Sequence, residues 1–572
     1  MNKIKAKLQA AVHWLVNRMP EMLLVLFLVS LIPLLYLLGQ QGLRLWHIVA
    51  ASPAEFATSL RQNPWPVLAW AACVLGSVAA GWLLVRCWGP LWAVARKMII
   101  EALHRKVVLV LLVFFVILMP SLPFILKTEG NPKSQIQIVI SYSLVLAEVL
   151  LSVLAVFVCT ASICTEVERK QVHVTDTKPL ARWQFLVGKL LGTVVMCAAL
   201  LFLMGASVYG LVRWMARERS FSHLPRWEEQ KQQEMLRKVS EEVLVARHTA
   251  RPSLPDVSAE VEAEIQRMRN EGSAIGVPSL DATMRKDTAN TILKHRMTVP
   301  SLGMLAWRIS GLSPGRDEPV YLRFKPTRTN ANAPQQVLGT WWFYQREKAE
   351  GSAAAEPNQT RLTLLFRRVG RWQTGGYQEI SVDSGIIDAS GTVYLGYRNL
   401  ESTTGIQFDP HDGIEILQRT ESFFPNYYRS LVIILCHLVL LSALALMAGA
   451  ALSFPVASFL VVAVLIVGLI GPWIEGMNLG YIPRSPMGLE LTTWQEIGKW
   501  SREVLAVIIR ALLVIFPQFT KYSPLGDLVN GRLVTWSFLG QAAADTCFLR
   551  ALPAMLVGIY LYGRRELARV IA

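Results

Sequence analysis

Few residues of this chain stand together in a pattern that could do chemistry. Asp409-Pro410-His411-Asp412 sets two carboxylates beside an imidazole, a group that could hold a metal or move a proton. Proline and aspartate also build solvated turns, and the turn is the plainer reading. Trp341-Trp342 could stack a ligand. Successive residues of a strand point to opposite faces, however, which makes one indole core and the other surface. Gly311-Leu312-Ser313-Pro314-Gly315 spells G-x-S-x-G, without the strand-then-helix context of a nucleophile elbow, and its proline suits a turn. Asn358-Gln359-Thr360 is a glycosylation sequon by letter only. No G-x-x-x-x-G-K-[ST] and no H-E-x-x-H occurs, so ATP is not bound through a P-loop. The chain reads as a non-enzyme with no cofactor. Glu148 is different in kind. It interrupts a long apolar run, and ionisable groups at membrane depth are functional candidates by default. Arg550 or Ser207 would be its ordinary structural partner.

The elements that must position these residues follow from composition. Of 572 residues 53% are hydrophobic and 17% charged, against about 25% charged in soluble domains. The mean hydropathy is +0.37, which excludes a purely soluble or disordered chain. Apolar runs at 22–39, 65–85, 107–126, 138–163, 190–212, 431–452, 456–474 and 534–562 predict about eight transmembrane helices, since backbone polar groups in lipid must be satisfied internally. The segment 503–520 is apolar but carries Arg510 and Pro517. It is read as an interfacial or re-entrant element.

Basic residues cluster before the first span (Lys3, Lys5, Lys7, Arg18), after the second (Arg96, Lys97, Arg105, Lys106), after the fourth (Arg169, Lys170, Lys178, Arg182) and at the C-terminus (Arg564, Arg565, Arg569). The positive-inside rule puts all four in the cytoplasm, and eight spans satisfy that parity. Residues 214–427 then lie outside, as an extracytoplasmic domain. They hold 27 Lys+Arg and 26 Asp+Glu, leaving 30 basic and 15 acidic residues in the membrane half. The net charge of +16 thus reflects topology and contact with anionic membrane lipid, not nucleic acid. None of the seven cysteines lies in 214–427, so that domain must hold itself by a packed core.

Within it, 220–300 reads as helical, with solvent-facing helices at 226–247 and 257–269 divided by Arg251–Pro255. From 301 to 420 short alternating stretches, at 305–309, 320–324, 338–344, 362–368, 377–382, 392–397, 405–408 and 414–417, predict an antiparallel β-sandwich. Residues 348–359 read as an exposed loop. A 220–424 fragment is expected to fold alone.

The most informative stretch links the fourth and fifth spans, from Cys164 to Gly192. Thr165 can cap a short helix, Glu166 and Glu168 suit its positive end, Lys178 its negative end, and Pro179 stops it. Arg182 and Lys189 mark the boundary of the next span. Glu166, Glu168, Gln171, Val172, Thr177, Lys178, Pro179, Leu180, Ala181, Arg182, Phe185, Gly188 and Lys189 resemble the pattern E-x-E-x-x-[TQ]-[IV]…[ST]-[KR]-P-[VL]-[SA]-R…G-K of the permease (transmembrane) subunits of type 2 ABC exporters. Thr175-Asp176 stands where that family has Leu-Leu. The amphipathic 91–106 is similar to the family's interfacial entry helix, and the Pro517-Gln518-Phe519 region to its outer-face segment. The resemblance implies two additional N-terminal transmembrane helices at 1–90, a permease core at 91–213 and 428–572, and an inserted domain at 214–427. It also implies a coupling helix at 165–183 that docks on a separate ATP-binding cassette ATPase subunit, with Glu166, Glu168, Arg169 and Arg182 fixing its register. A second permease chain would complete a multi-pass inner-membrane exporter with both termini cytoplasmic. Two other readings stand beside it. One is a membrane-anchored scaffold whose outer β-domain binds a partner. The other is an intramembrane enzyme such as a glycan transferase.

Overall fold

The computed structural model describes residues 89–103, 132–168, 181–217, 239–270, 278–346 (except 316, 317, 331 and 333), 362–476 and 519–564, with single residues between. The membrane half contains helix α1 (89–103), α2 (Pro132–Glu168), α3 (Arg182–Met215), α6 (Phe423–Ala451), α7 (Phe454–Gly476), the short α8 (Leu525–Val529) and α9 (Trp536–Ala543). The last helix continues through a π-helical stretch, Ala544–Ala551, into α10 (Leu552–Arg564). Among the described residues four helices are long and apolar enough to cross a membrane: Lys133–Glu166, Arg182–Met215, Phe423–Ala451 and Trp536–Arg564. They match four of the eight expected spans. The run at 456–474 lies in α7, of which Phe454–Leu469 is apolar among the residues whose side chains are described. The spans expected at 22–39 and 65–85 lie outside the described residues, as does most of 107–126. Eight spans are therefore not what the described residues supply.

Helix α6 is the axis of this half. It packs on α2, α3, α7 and the last helix. Small residues let it do so: Ser442, Ala443, Ala445, Ala448 and Ala450 are all buried, and a Cβ on Gly449 would stand 3.5 Å from the Thr160 Cα of α2. Close backbone approach of this kind is how helices associate where lipid removes the hydrophobic drive.

The β half holds eleven strands among the described residues, β1 (Val245–Ala250), β2 (Thr298–Val299), β3 (Met304–Ile309), β4 (Val320–Phe324), β5 (Pro326–Arg328), β6 (Gln336–Arg346), β7 (Leu362–Gln373), β8 (Gln378–Val382), β9 (Val393–Asn399), β10 (Ile406–Phe408) and β11 (Ile414–Ser422). One antiparallel sheet has the order β1-β11-β4-β8, a second β3-β9-β6-β7, and a small third β2-β10-β5. The sheets share one core. Fully buried Trp341 is its centre, 4.9 Å from the rings of both Phe324 and Tyr397 and 5.7 Å from Phe408. All eight expected strands are present. A helical hairpin, α4 (Ser258–Asn270) and α5 (Pro278–Arg296), flanks them. It packs Val257, Val261, Ile265 and Leu293 together.

The expected helix at 226–247 is corrected at its end. Val245–Ala250 is a strand, paired antiparallel with β11. Its backbone also binds the segment before the last span: the Arg247 N–H donates to Gly531 O at 2.8 Å, and the Leu533 N–H to Arg247 O at 2.9 Å. Partners some 170 and 285 residues away decide the conformation, not local propensity. Strand β11 ends at Ser422 and α6 begins at Phe423. The sandwich is thus joined to the axial membrane helix without a loop.

Candidate functional site

Buried charges meet in three places, two of which hold residues singled out in sequence. The first is the end of α2 and the start of α3, where the link 169–180 departs. Thr165 does not cap the start of a short helix, and residues 169–180 of the coupling helix expected at 165–183 lie outside the described residues. Helix α2 runs unbroken to Glu168, and the Thr165 Oγ1 donates back to Ala161 O inside the same helix. Nothing in Glu-Val-Glu stops a helix, and tertiary packing extends it by a turn. Arg169, Lys178 and Pro179 lie outside the described residues.

Glu166 is buried, not solvated. Its Oε2 stands 3.0 Å from Lys189 Nζ and its Oε1 accepts from Lys97 Nζ at 2.9 Å. Lys189, also buried, donates to Ser162 O at 2.8 Å and Oγ at 2.9 Å. Its Nζ sits 4.8 Å from the Phe185 ring centre. One carboxylate therefore ties α2 to α3 and to α1. The expected snorkelling of Lys189 is replaced by a buried ion pair, because α1 packs over this end. A Cβ on Gly188 would meet Val94 Cβ at 2.8 Å, and one on Gly192 would meet Ala95 O at 2.7 Å. Only glycine permits that approach. Glu168 is exposed. Arg182 donates to Gly563 O at 2.6 Å, and Phe185 stacks on Tyr562, so the last helix joins the same end.

The second place is Glu148. Its partner is neither Arg550 nor Ser207. Arg550 pairs with Asp545 at 3.3 Å, and the Ser207 hydroxyl donates to Met204 O at 2.7 Å. Glu148 Oε1 lies 2.9 Å from Nδ1 of His437, a buried residue of α6. The Nε2 of His437 is buried with no hydrogen-bond partner among the described residues, and its ring meets the edge of Phe519 at 5.6 Å. Sequence inspection missed His437, although it interrupts an apolar run as Glu148 does.

The third place was not foreseen. Where the sandwich meets the membrane helices, Lys133 of α2 donates to Glu242 at 2.5 Å and reaches Glu379 of β8 at 3.4 Å. Arg247 of β1 reaches Glu379 at 3.4 Å and donates to Asn530 O at 3.0 Å. Arg323 of β4 donates to Asn530 Oδ1 at 2.9 Å. Glu415 of β11, fully buried, accepts from Arg532 at 2.8 Å and from Arg251 at 3.1 Å. Burial works against ionisation of Glu379, but Arg247, Lys133 and Arg323 outweigh it and hold its carboxyl below the usual range. Glu242 shifts the other way: burial first, then the Glu379 charge, push it up. Burial lowers the Arg323 guanidinium. Across the chain joint, Arg429 pairs with Glu421 at 2.6 Å and lies over the Trp536 ring. Since Arg532 completes Glu415, a 220–424 fragment would leave that buried carboxylate to Arg251 alone. The expectation that the fragment folds independently loses its footing there.

The Asp409–Asp412 stretch is a turn. Asp412 accepts from Tyr377 OH at 2.5 Å, and His411 Nε2 faces Asn290 Oδ1 at 3.2 Å. Trp341 is core and Trp342 half-buried on the other face. No group of three or more potential metal ligands occurs among the described residues. Gly311–Gly315 forms a turn after β3. No protein family, curated protein or solved structure matches this chain.

Proposed function

We propose that the chain is the membrane-spanning permease subunit of an ATP-binding cassette exporter, with ATP hydrolysed by a separate subunit. The observation that supports this most is the seat of the link 169–180. The helices on both sides of it are locked to each other and to α1 through Glu166, Lys189 and Lys97. A segment that receives a push from an ATPase must transmit it to spanning helices as a rigid unit, and buried ion pairs fix such a unit in one register. In this reading about eight helices span the inner membrane, the termini and the link face the cytoplasm, and the β-sandwich stands outside. A second permease chain completes the path.

The experiment is purification of the full chain in mild detergent with identification of what accompanies it. A P-loop ATPase without spans of its own should co-purify. Replacing residues 171–177 by Gly and Ser at equal length, with Glu168→Lys, should release it at unchanged abundance of the chain. Changing Arg44 and Arg61 should not. Absence of such an ATPase, or its retention after link replacement, overturns the reading. The alternative, a membrane-anchored scaffold, draws on a different feature, the exposed edge strand β7.

A further inference from the structure

Strand β7 closes one side of the sheet β3-β9-β6-β7 and pairs with β6 alone among the described strands. It is 12 residues long, about 40 Å at 3.4 Å per residue. A long edge strand presents a row of backbone donors and acceptors, and natural sheets commonly shorten or cover such edges. Here residues 363–369 are all exposed, including Leu364 at 42%, Leu365 at 44%, Phe366 at 39% and Val369 at 54%. A register shift opposite Phe343 and Tyr344 leaves Leu365 as the extra residue of a bulge. From Phe366 to Gln373 the ladder is regular.

That regular stretch carries a charge pattern. Arg367, Val369 and Arg371 share one face, since side chains alternate along a strand. Arg368 is on the other face with Phe366. All three arginines are exposed. Self-pairing of two β7 strands centred on Arg368 or Val369 would oppose arginine to arginine, and like charges directly opposite are destabilising. An occupant that brings acid opposite these arginines avoids that repulsion.

We propose that β7 captures an acidic, extended peptide segment of another protein by antiparallel strand addition. Cross-strand pairing specifies its sequence. Reading along the partner, acid opposes Arg371, one residue is free, an apolar side chain opposes Val369, two acids oppose Arg368 and Arg367, and an apolar side chain opposes Phe366. The motif is acid-x-apolar-acid-acid-apolar. Main-chain hydrogen bonds supply affinity and alternate side chains supply selection. This inference is independent of the exporter reading and stands whether or not the chain transports.

The test uses the full chain in detergent and a fluorescein-labelled, capped octapeptide, Thr-Glu-Thr-Val-Glu-Glu-Val-Thr, followed by anisotropy. Saturable binding that weakens with salt is expected. The same peptide N-methylated at alternate residues, in both registers, should lose binding in one register, because methylation removes the main-chain donors. A peptide with lysine for every glutamate should not bind. Arg367→Glu with Arg371→Glu should weaken binding at least about tenfold, through like-charge repulsion, with the melting temperature of the chain unchanged. If that variant does not fold, Arg367→Gln with Arg371→Gln serves in its place. Absence of saturable binding, equal binding of the lysine peptide, or full binding of both N-methylated forms overturns the proposal. The last result would assign the patch to a general apolar surface instead.

Discussion

Glu166 and Lys189 show how a residue's role depends on its surroundings. In sequence both are charges at the mouth of a span, where solvation is the default. In the fold both are buried and joined at 3.0 Å, with Ser162 completing the ammonium's hydrogen bonds. A buried pair is expensive to break from one side, because the surviving charge is left desolvated. Glu166→Gln or Lys189→Met should each destabilise the full chain by about 3 kcal/mol. The double variant should recover part of that loss, since neither charge is then stranded. Thermal unfolding in detergent measures it, and equal, additive losses would show that the two residues do not act as a pair. Glu148 and His437 form a second pair across α2 and α6. Neither residue marks the other in sequence, because 289 positions separate them.

At the scale of elements, the contact of α1 with α3 depends on two glycines. Gly188 and Gly192 lie one turn apart on α3, and each faces α1 backbone or Cβ atoms within 3.0 Å of where a Cβ would stand. A side chain there must displace α1, and overpacking of this kind costs about 1–3 kcal/mol. Gly192→Leu should therefore loosen α1, with hydrogen exchange of its amides at least about tenfold faster. Gly210, on the same helix, has nothing within 4 Å. Gly210→Leu should leave the α1 amides unchanged. If both variants behave alike, the glycines do not decide the packing. The hairpin β6–β7 makes the complementary point: its inner partner strand fills the core with Trp341 and Phe343, while its edge keeps apolar side chains in water.

For the whole molecule, the junction of sandwich and membrane helices is electrostatic, and two of its carboxylates, Glu379 and Glu242, oppose one another. The Glu379 carboxyl is depressed, so its contribution is present above the ordinary value of 4.5 and is lost as pH falls through the depressed one. The Glu242 carboxyl is raised, so ionising it costs the folded state, and stability is lost as pH rises from 4.5 through the raised value. Thermal midpoints of the full chain across pH should show an acid limb and a shallower loss above it. Glu379→Gln should remove the acid limb and destabilise the chain near neutrality, since Arg247 keeps no other carboxylate among the described residues. Glu242→Gln should remove the upper loss and keep the acid limb. Identical pH profiles for parent and both variants would show that the junction does not carry this charge balance.

Much of the architecture was legible because periodicity is local. Apolar runs mark the four membrane-length helices, and alternation marks eight strands at 305–417, although β6, β7 and β11 run two to five residues further than expected. Those signals need only the side chains' own hydropathy and the period of each element. The strand Val245–Ala250 was not legible, since its partners are β11 and the segment at 531–533, far along the chain. Nor was the continuation of α2 past Thr165. The caps and charges of Thr165–Glu168 suit the start of a helix, and only packing against α1 and α3 makes them the last described turn of α2. The same reason separates the sites. The motif from Glu166 to Lys189 could be read by spacing, as a linear pattern. The clasp of Glu166 with Lys97 and Lys189, the Glu148–His437 pair and the Lys133–Glu379–Arg247 junction each join residues from different elements. Composition bounds which charges exist, but burial decides which of them must find one another. Burial is a property of the folded chain alone.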